Sequence, residues 1–250
     1  MKLEELIKGI QQTDLLYLAD SYIKDFQATI LRTQLEGKSS LYVLLDRTAF
    51  HPKGGGQPSD TGFIHSPNFQ VEVRKVMLMD RVVVHWGRLL EGEIREKRII
   101  GEVRWDSRYL YMKRHTAGHL LDHCLTILTG KPVETTDSWL GDPCYVGYGG
   151  EVPPIDHLKE AEALENCMIA NGGKVSIENI SYEELLKRAP YAPNIYRLPS
   201  LKNYRIVTIE GRNPIPCAGT HLRDIKEIGH FSIKRMEKLA SGFRVYYDVQ

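Results

Sequence analysis

Apolar and polar residues change their spacing along this chain, and the change falls near residue 105. Before it, apolar residues tend to recur at every second position around Phe26–Leu35, Ser40–Leu45, Val71–Met79 and Arg81–Trp86, with one more strand at Ile99–Arg104. That period is the mark of a half-buried β-strand. Gly37, Gly62, Pro67-Asn68 and Gly87 stand where turns are needed. A short helix over residues 2–11 opens the region. Many short strands at regular spacing predict a small β-barrel.

Beyond residue 105 the period becomes helical. Leu110, Ala117, Leu120, Leu121, Cys124, Leu125 and Leu128 form an apolar stripe wide enough to lie on a sheet. Asp106 or Ser107 can cap the start of this helix, and Gly130 stands where a left-handed C-terminal residue belongs. A second helix is predicted over Ile155–Ala170, stopped by Gly172-Gly173. Ser181 with Glu184 reads as a capping box opening a third helix to Arg188. Strands are expected near Lys174–Asn179, Tyr204–Glu210, Ile228–Met236 and Gly242–Val249. The fold class is α+β, with a small N-terminal β-barrel domain over residues 1–104 and an α+β domain over 105–250.

Composition narrows the function classes. A formal net charge of +1 over 250 residues gives no global field for nucleic acid, so any such binding needs a local patch. The basic run Arg95, Lys97, Arg98, Arg104, Arg108, Lys113 and Arg114, interleaved with Tyr109 and Tyr111, is one candidate. Lys234, Arg235, Lys238 and Arg244 are another. The first reads equally well as a solvated helix face with ordinary core tyrosines, and neither identifies a nucleic-acid partner by itself. The four cysteines lack a paired framework, and the first residues do not read as a signal peptide; both point to thiols and the cytoplasm. Cys124 and Cys167 read as small core residues, while Cys144 falls in a loop-like stretch. No apolar run approaches the roughly 18 residues of a membrane span.

The sharpest chemistry lies in His115-Thr116-Ala117-Gly118-His119 and Cys217-Ala218-Gly219-Thr220-His221. Each holds two transition-metal ligands at i,i+4, and on a helix that spacing puts both imidazoles on one face. Three nitrogens and one thiolate suit tetrahedral zinc. His123 continues the same helical face but would stretch a three-histidine site over two turns, so it reads better as a capping or solvated residue. Zinc proteases share the His-x-x-x-His spacing, yet Thr116 stands where their glutamate base would be and cannot act as that base. Cys217 could instead be a hydrolase nucleophile, although a metal-bound thiolate is largely withdrawn from that role.

Three ordered motifs together, the two above preceded by Phe50-His51-Pro52-Lys53-Gly54-Gly55-Gly56-Gln57-Pro58-Ser59-Asp60-Thr61-Gly62, resemble the editing region of alanyl-tRNA synthetases. The resemblance is strongest to AlaX, the free-standing relatives of that region, and it extends from about Asp20 to Asp248. Glu227-Ile228-Gly229-His230-Phe231 looks like the family's continuation. The resemblance implies an editing domain of the alanyl/threonyl-tRNA synthetase type and a cytoplasmic hydrolase acting in trans on mischarged alanine tRNA. Such an enzyme removes serine, in some members glycine, where binding alone cannot reject a small side chain.

By the same resemblance, His115, His119, Cys217 and His221 are the zinc ligands. Ala218 departs from the family's usual glycine but leaves ligands and spacing intact. Thr136 is expected to meet the serine hydroxyl, with its neighbour Thr135 one position away. Gly55, Gly56 and Gln57 are expected to reach the editing pocket; alone, this glycine run would be a plain flexible turn. A length of 250 residues leaves no room for a synthetase catalytic domain as well. The sequence names no general base, and it leaves open whether zinc polarises water or anchors substrate. A non-catalytic tRNA-binding module with structural zinc, and a zinc hydrolase of another aminoacyl ester, remain alternatives. A monomer is expected.

Overall fold

The computed structural model describes residues 3–250, so residue 2 of the expected opening helix lies outside the described residues. The chain divides into two compact units, one of residues 1–54 and 58–109, the other of 55–57 and 110–250.

The first unit opens with α1 (Leu3–Ile7), β1 (Asp14–Leu15) and α2 (Leu16–Ala19). It continues through β2 (Asp25–Glu36), β3 (Ser40–Leu45), β4 (Arg47–Thr48), β5 (Gly62–Ser66), β6 (Phe69–Met79), β7 (Val82–Gly92) and β8 (Arg98–Val103). Six of these strands close a barrel in the order β2-β3-β7-β6-β5-β8. Alternation does the work expected of it. Phe26, Ala28 and Ile30 on β2 and Leu41, Val43 and Leu45 on β3 enter one buried core, while Gln27 and Thr29 stay outside it. Strand β5 is absent from the sequence reading, which took Gly62 as punctuation. The residue instead starts a strand that pairs with both β6 and β8 and completes the closure. Gly87 is likewise no turn but an interior residue of β7, opposite Leu41 and Val73.

One charged pair sits inside this unit. Arg108 is fully buried, its guanidinium paired with the Asp60 carboxylate. The same guanidinium donates to the Ser21 carbonyl at 3.0 Å and the Ala49 carbonyl at 2.6 Å. The Asp60 carboxylate also accepts from the His51 amide at 2.5 Å. Arg108 is therefore a tie between separate loops and not a solvent-facing cation.

The helix α3 (Trp105–Thr129) leads into the second unit. It starts one residue ahead of the expected caps, because the Arg104 carbonyl already accepts from the Arg108 amide at 3.2 Å. Asp106 then sits in the first turn, where a negative charge complements the helix dipole. Gly130 follows the helix with φ +66°. The remaining elements are β9 (Thr135–Trp139), β10 (Tyr145–Gly149), α4 (Ile155–Asn171), β11 (Val175–Ser181), α5 (Tyr182–Arg188), β12 (Asn203–Ile209), β13 (Ile215–Pro216), β14 (Phe231–Leu239) and β15 (Gly242–Val249). They make a four-stranded sheet β14-β15-β10-β9 and a three-stranded sheet β11-β12-β13.

Strands β9 and β10 have no counterpart in the sequence reading. Thr-Thr-Asp-Ser-Trp offers no apolar alternation, and Gly147 and Gly149 blank one face of β10. Ile228 closes a short 3₁₀ turn, Ile225–Ile228, so β14 begins only at Phe231. Ser181 caps α5 by accepting from the Glu184 amide at 3.2 Å. Cys124 and Cys144 are buried, but Cys167 is exposed on α4, which corrects its reading as a core residue.

Tyr247 Oη donates to the Arg114 carbonyl at 2.8 Å, and Tyr148 Oη donates to Asp122 Oδ1 at 2.7 Å, tying α3 to the four-stranded sheet. Burial pushes the Asp122 carboxyl up to about 7, against the lowering effect of the tyrosine bond. Burial also raises the Glu165 carboxyl well above its ordinary value, with the Asp122 charge adding to it.

Two outcomes follow for stability. Replacing Arg108 with Ala leaves the Asp60 carboxylate buried without its cation, and should cost about 3–5 kcal/mol in urea unfolding. For Asp122, the folded state binds the proton more tightly than the unfolded state, so its contribution is present at acid pH and declines as pH rises from about 4 towards 7. Melting temperatures of Asp122→Asn and the parent should therefore diverge across that window, the variant losing less stability as pH rises.

Candidate metal centre

Two elements carry the four candidate ligands. Helix α3 supplies His115 and His119 one turn apart, and the loop after β13 supplies Cys217 and His221. Their ligating atoms all lie within 4.8 Å of one another. Cys217 Sγ is 3.3 Å from Nε2 of both His115 and His221. Ligands about 2.0–2.3 Å from a tetrahedral ion sit on the order of 3.3–3.7 Å apart, so this is a spacing that could hold a metal ion. His123 stands outside the group. It is half-buried, and burial together with the Arg212 charge keeps its imidazole more readily neutral.

Hydrogen bonds to the backbone and to neighbouring side chains fix the loop against the helix. Thr116 Oγ1 donates to the Met112 carbonyl at 2.8 Å and accepts from the Leu222 amide at 3.1 Å. The position that would carry a protease's glutamate therefore anchors the second motif. Arg205 on β12 grips the other end: its guanidinium donates to the Cys217 carbonyl at 2.6 Å, and its own carbonyl accepts from the Cys217 amide at 3.0 Å.

Gly55–Gln57 fold with these residues, although the chain on either side belongs to the barrel unit. Gln57 is fully buried. Its Oε1 lies 3.3 Å from His115 Nδ1 and accepts from the Thr220 amide at 3.1 Å, while its Nε2 donates to Thr220 Oγ1 at 2.9 Å. A donor–acceptor pair at Nδ1 holds the imidazole so that Nε2 faces the other ligands. Gly56 has φ +80°, and a Cβ there would fall 2.2 Å from Ser138 Oγ; its carbonyl accepts from the Leu140 amide at 2.9 Å. Gly219 is as tight, since a Cβ would stand 2.2 Å from the His115 ring. Ala218, by contrast, is exposed.

The electrostatics favour uncharged ligands before a metal arrives. Burial lowers the His119 imidazole to about 4, with the Arg205 charge adding to it, so the ring is neutral at physiological pH. Burial raises the Cys217 thiol, opposed by the Gly219 amide and by Arg205. A metal must displace that proton on binding.

No contact joins Thr136 to the four ligands among those seen. It is exposed on β9, with Oγ1 3.2 Å from Asp137 Oδ1. The Thr135 hydroxyl is already engaged, donating to the Pro193 carbonyl at 3.3 Å and accepting from Arg197 at 2.9 Å. The basic run is broken up in the same way. Arg108 is buried on Asp60, Arg114 is buried beside Asp142 and Asp248 at 2.7 and 2.9 Å, and Arg95 pairs with Glu93. Tyr109 stacks on Trp105 at 5.5 Å. In the C-terminal patch, Arg244 pairs with Asp137 at 2.8 Å and Arg235 lies over the Tyr246 ring at 3.5 Å, leaving Lys234 and Lys238 as plain exposed cations.

Comparison with known proteins adds an independent line. Residues 6–107 match the family of tRNA synthetases class II (A), and residues 204–246, which include Cys217 and His221, match the threonyl and alanyl tRNA synthetase second additional domain. Over 95% of its length the chain is 32% identical to the alanine–tRNA ligase of Pyrococcus abyssi, covering 26% of that protein. It is 31% identical to the alanyl-tRNA editing protein AlaX-M of Methanosarcina barkeri, covering 99% of it, and 30% identical to that of Methanosarcina mazei, covering 96%. The chain thus spans about a quarter of the ligase and nearly all of the editing proteins.

The packing at Gly219 makes a direct test. Gly219→Ala should displace the His115 ring and weaken cobalt(II) binding, read from the visible absorption of a thiolate-containing tetrahedral site, by about tenfold or more. Ala218→Gly, at an exposed position, should bind as the parent does. Equal affinity in all three proteins would show that Gly219 does not set the ring's place.

Proposed function

Because the chain belongs to the AlaX-M family of alanyl-tRNA editing proteins, we propose that it is a zinc-dependent deacylase acting in trans on mischarged alanine tRNA, with seryl esters as its first substrates and glycyl esters as its second. The observation that carries the zinc reading is the convergence of His115, His119, Cys217 and His221 within 4.8 Å. Three imidazoles and a thiolate form a donor set suited to zinc and poorly suited to magnesium or calcium.

In this reading residues 1–104 are the barrel domain and residues 105–250 the editing domain of the alanyl/threonyl-tRNA synthetase type. Water adds to the ester carbonyl, the bond to the terminal ribose oxygen breaks, and the products are the free amino acid and a tRNA with its hydroxyl restored. Zinc at this centre supplies Lewis acidity. The chain's own part is positional. Gln57 holds the His115 tautomer, Gly56 keeps the backbone bare beside β9, and Thr116 keeps the ligand loop in register with α3.

Thr136 is assigned to the substrate hydroxyl. Its side chain is exposed, whereas the Thr135 hydroxyl is committed to Arg197 and Pro193. A serine hydroxyl can pair with it, and an alanine methyl cannot. No helix among the described residues is long and apolar enough to cross a membrane. We place the protein in the cytoplasm, as a monomer that meets charged tRNA.

The test is hydrolysis of seryl-, glycyl- and alanyl-tRNA for alanine, with Cys217→Ala and Thr136→Val beside the parent. Rapid release of serine with alanine spared is expected, together with loss of zinc and activity in Cys217→Ala. Thr136→Val should lose about tenfold or more of the serine preference. A zinc-loaded parent that releases no amino acid from any of the three would overturn the enzyme reading in favour of a tRNA-binding module.

A further inference from the structure

With a net charge of +1, the protein needs a local cationic surface to attract a polyanion. Arg108 and Arg114 cannot provide it, because both are buried on carboxylates. A different surface lies on the outer wall of the barrel. Strand β8 runs between β2 and β5, and the register sets Thr29 beside Arg98, Gln27 beside Ile100, and Ile100 beside His65. An open groove of about 420 Å³ lies over these positions, and Arg47 joins its lining.

The groove has one acidic group, Asp46, and it is already engaged. Its Oδ1 accepts from the Thr29 amide at 2.7 Å, and its Oδ2 lies 3.9 Å from Arg47. Asp46 keeps its charge and offsets Arg47, so of the two guanidinium groups lining the groove Arg98 is the one without a carboxylate among the lining residues. Arg98 is exposed, and half of the Arg47 side chain reaches solvent. Ile100 is 42% exposed in the middle of this polar wall, an apolar patch with no core to join. One step along the strands Asp25 faces Glu102, both exposed, and this acidic pair bounds the cationic surface.

We propose that this groove binds the sugar–phosphate backbone of the tRNA substrate, with phosphates on Arg47 and Arg98 and a ribose or base face against Ile100 and His65. Guanidinium groups suit phosphate oxygens, and an exposed apolar side chain beside them suits a stacked or sugar surface. An open groove fits a polymer passing along it better than a small anion held on all sides. The assignment rests on the reading of the protein as one that acts on aminoacyl-tRNA.

The experiment measures binding of uncharged alanine tRNA by full-length protein over a series of KCl concentrations, by fluorescence anisotropy. Arg47→Glu/Arg98→Glu should weaken binding about tenfold or more at moderate salt and reduce the slope of log affinity against log salt by about two. Arg47→Gln/Arg98→Gln should reduce the slope similarly with a smaller loss, and it serves if charge reversal disturbs the barrel, which thermal unfolding would reveal. Lys159→Glu/Lys187→Glu makes the same change in net charge elsewhere and should stay within about twofold of the parent. On charged tRNA the groove variants should raise KM and leave kcat unchanged.

Unchanged affinity and slope in both groove variants would overturn the proposal. So would an equal loss in the lysine control, or no tRNA binding by the parent. A parent that binds tRNA through the groove but hydrolyses nothing would sink the editing reading and leave the groove standing.

Discussion

The site depends on a loop being held to a helix by hydrogen bonds that exist only when both are folded. Cys217 and His221 lie on a segment without regular structure, and a free loop cannot hold a thiolate and an imidazole to the tolerance of a metal. Thr116 solves this from the helix side, bridging Met112 and the Leu222 amide. Arg205 solves it from the sheet side by gripping Cys217 through both its main chain and its guanidinium. Between these anchors the loop has little freedom, and Gly219 passes so close to His115 that even a methyl group would collide.

This clamp also explains the electrostatics. It draws Arg205 near His119 and Cys217 while excluding water, so desolvation and a positive neighbour act together on His119 and both favour the neutral ring. On Cys217 they act in opposition, since desolvation favours the thiol and the positive charge favours the thiolate. The residual proton on sulfur is what a metal must remove. A neutral His119 beside a protonated Cys217 lessens the repulsion that charged ligands would suffer at these distances. The centre can then stay assembled before the ion arrives.

How much of this could be read from the sequence depended on how local the information was. The cluster of candidate ligands was legible because each pair sits within one five-residue motif, and the period of α3 fixed which of its faces would carry His115 and His119. The barrel was legible in β2 and β3, where alternation is clean. It failed at β5, because Gly62 looked like an ending, and at β9 and β10, where a bulge, two glycines and polar residues erase the period. Gln57 was singled out for a pocket, but its bonds to His115 and Thr220 join positions 58 and 163 residues away. No local pattern encodes such a pairing. The same holds for Arg108, which looked like one more cation in a basic run until Asp60, 48 residues earlier, was seen beside it.

Burial of Arg108 and Arg114 changes how the charge of this protein should be read. A guanidinium enclosed by a carboxylate and two carbonyls contributes almost nothing to the field outside, because its partners cancel it at short range. Counting lysines and arginines along residues 95–114 therefore overstates the attraction of that segment for RNA. The cations that matter electrostatically are those that stay exposed to solvent, as Arg98 does, and not those enclosed by a carboxylate. Position on the folded surface, and not density along the chain, decides which part of a nearly neutral protein can meet a polyanion.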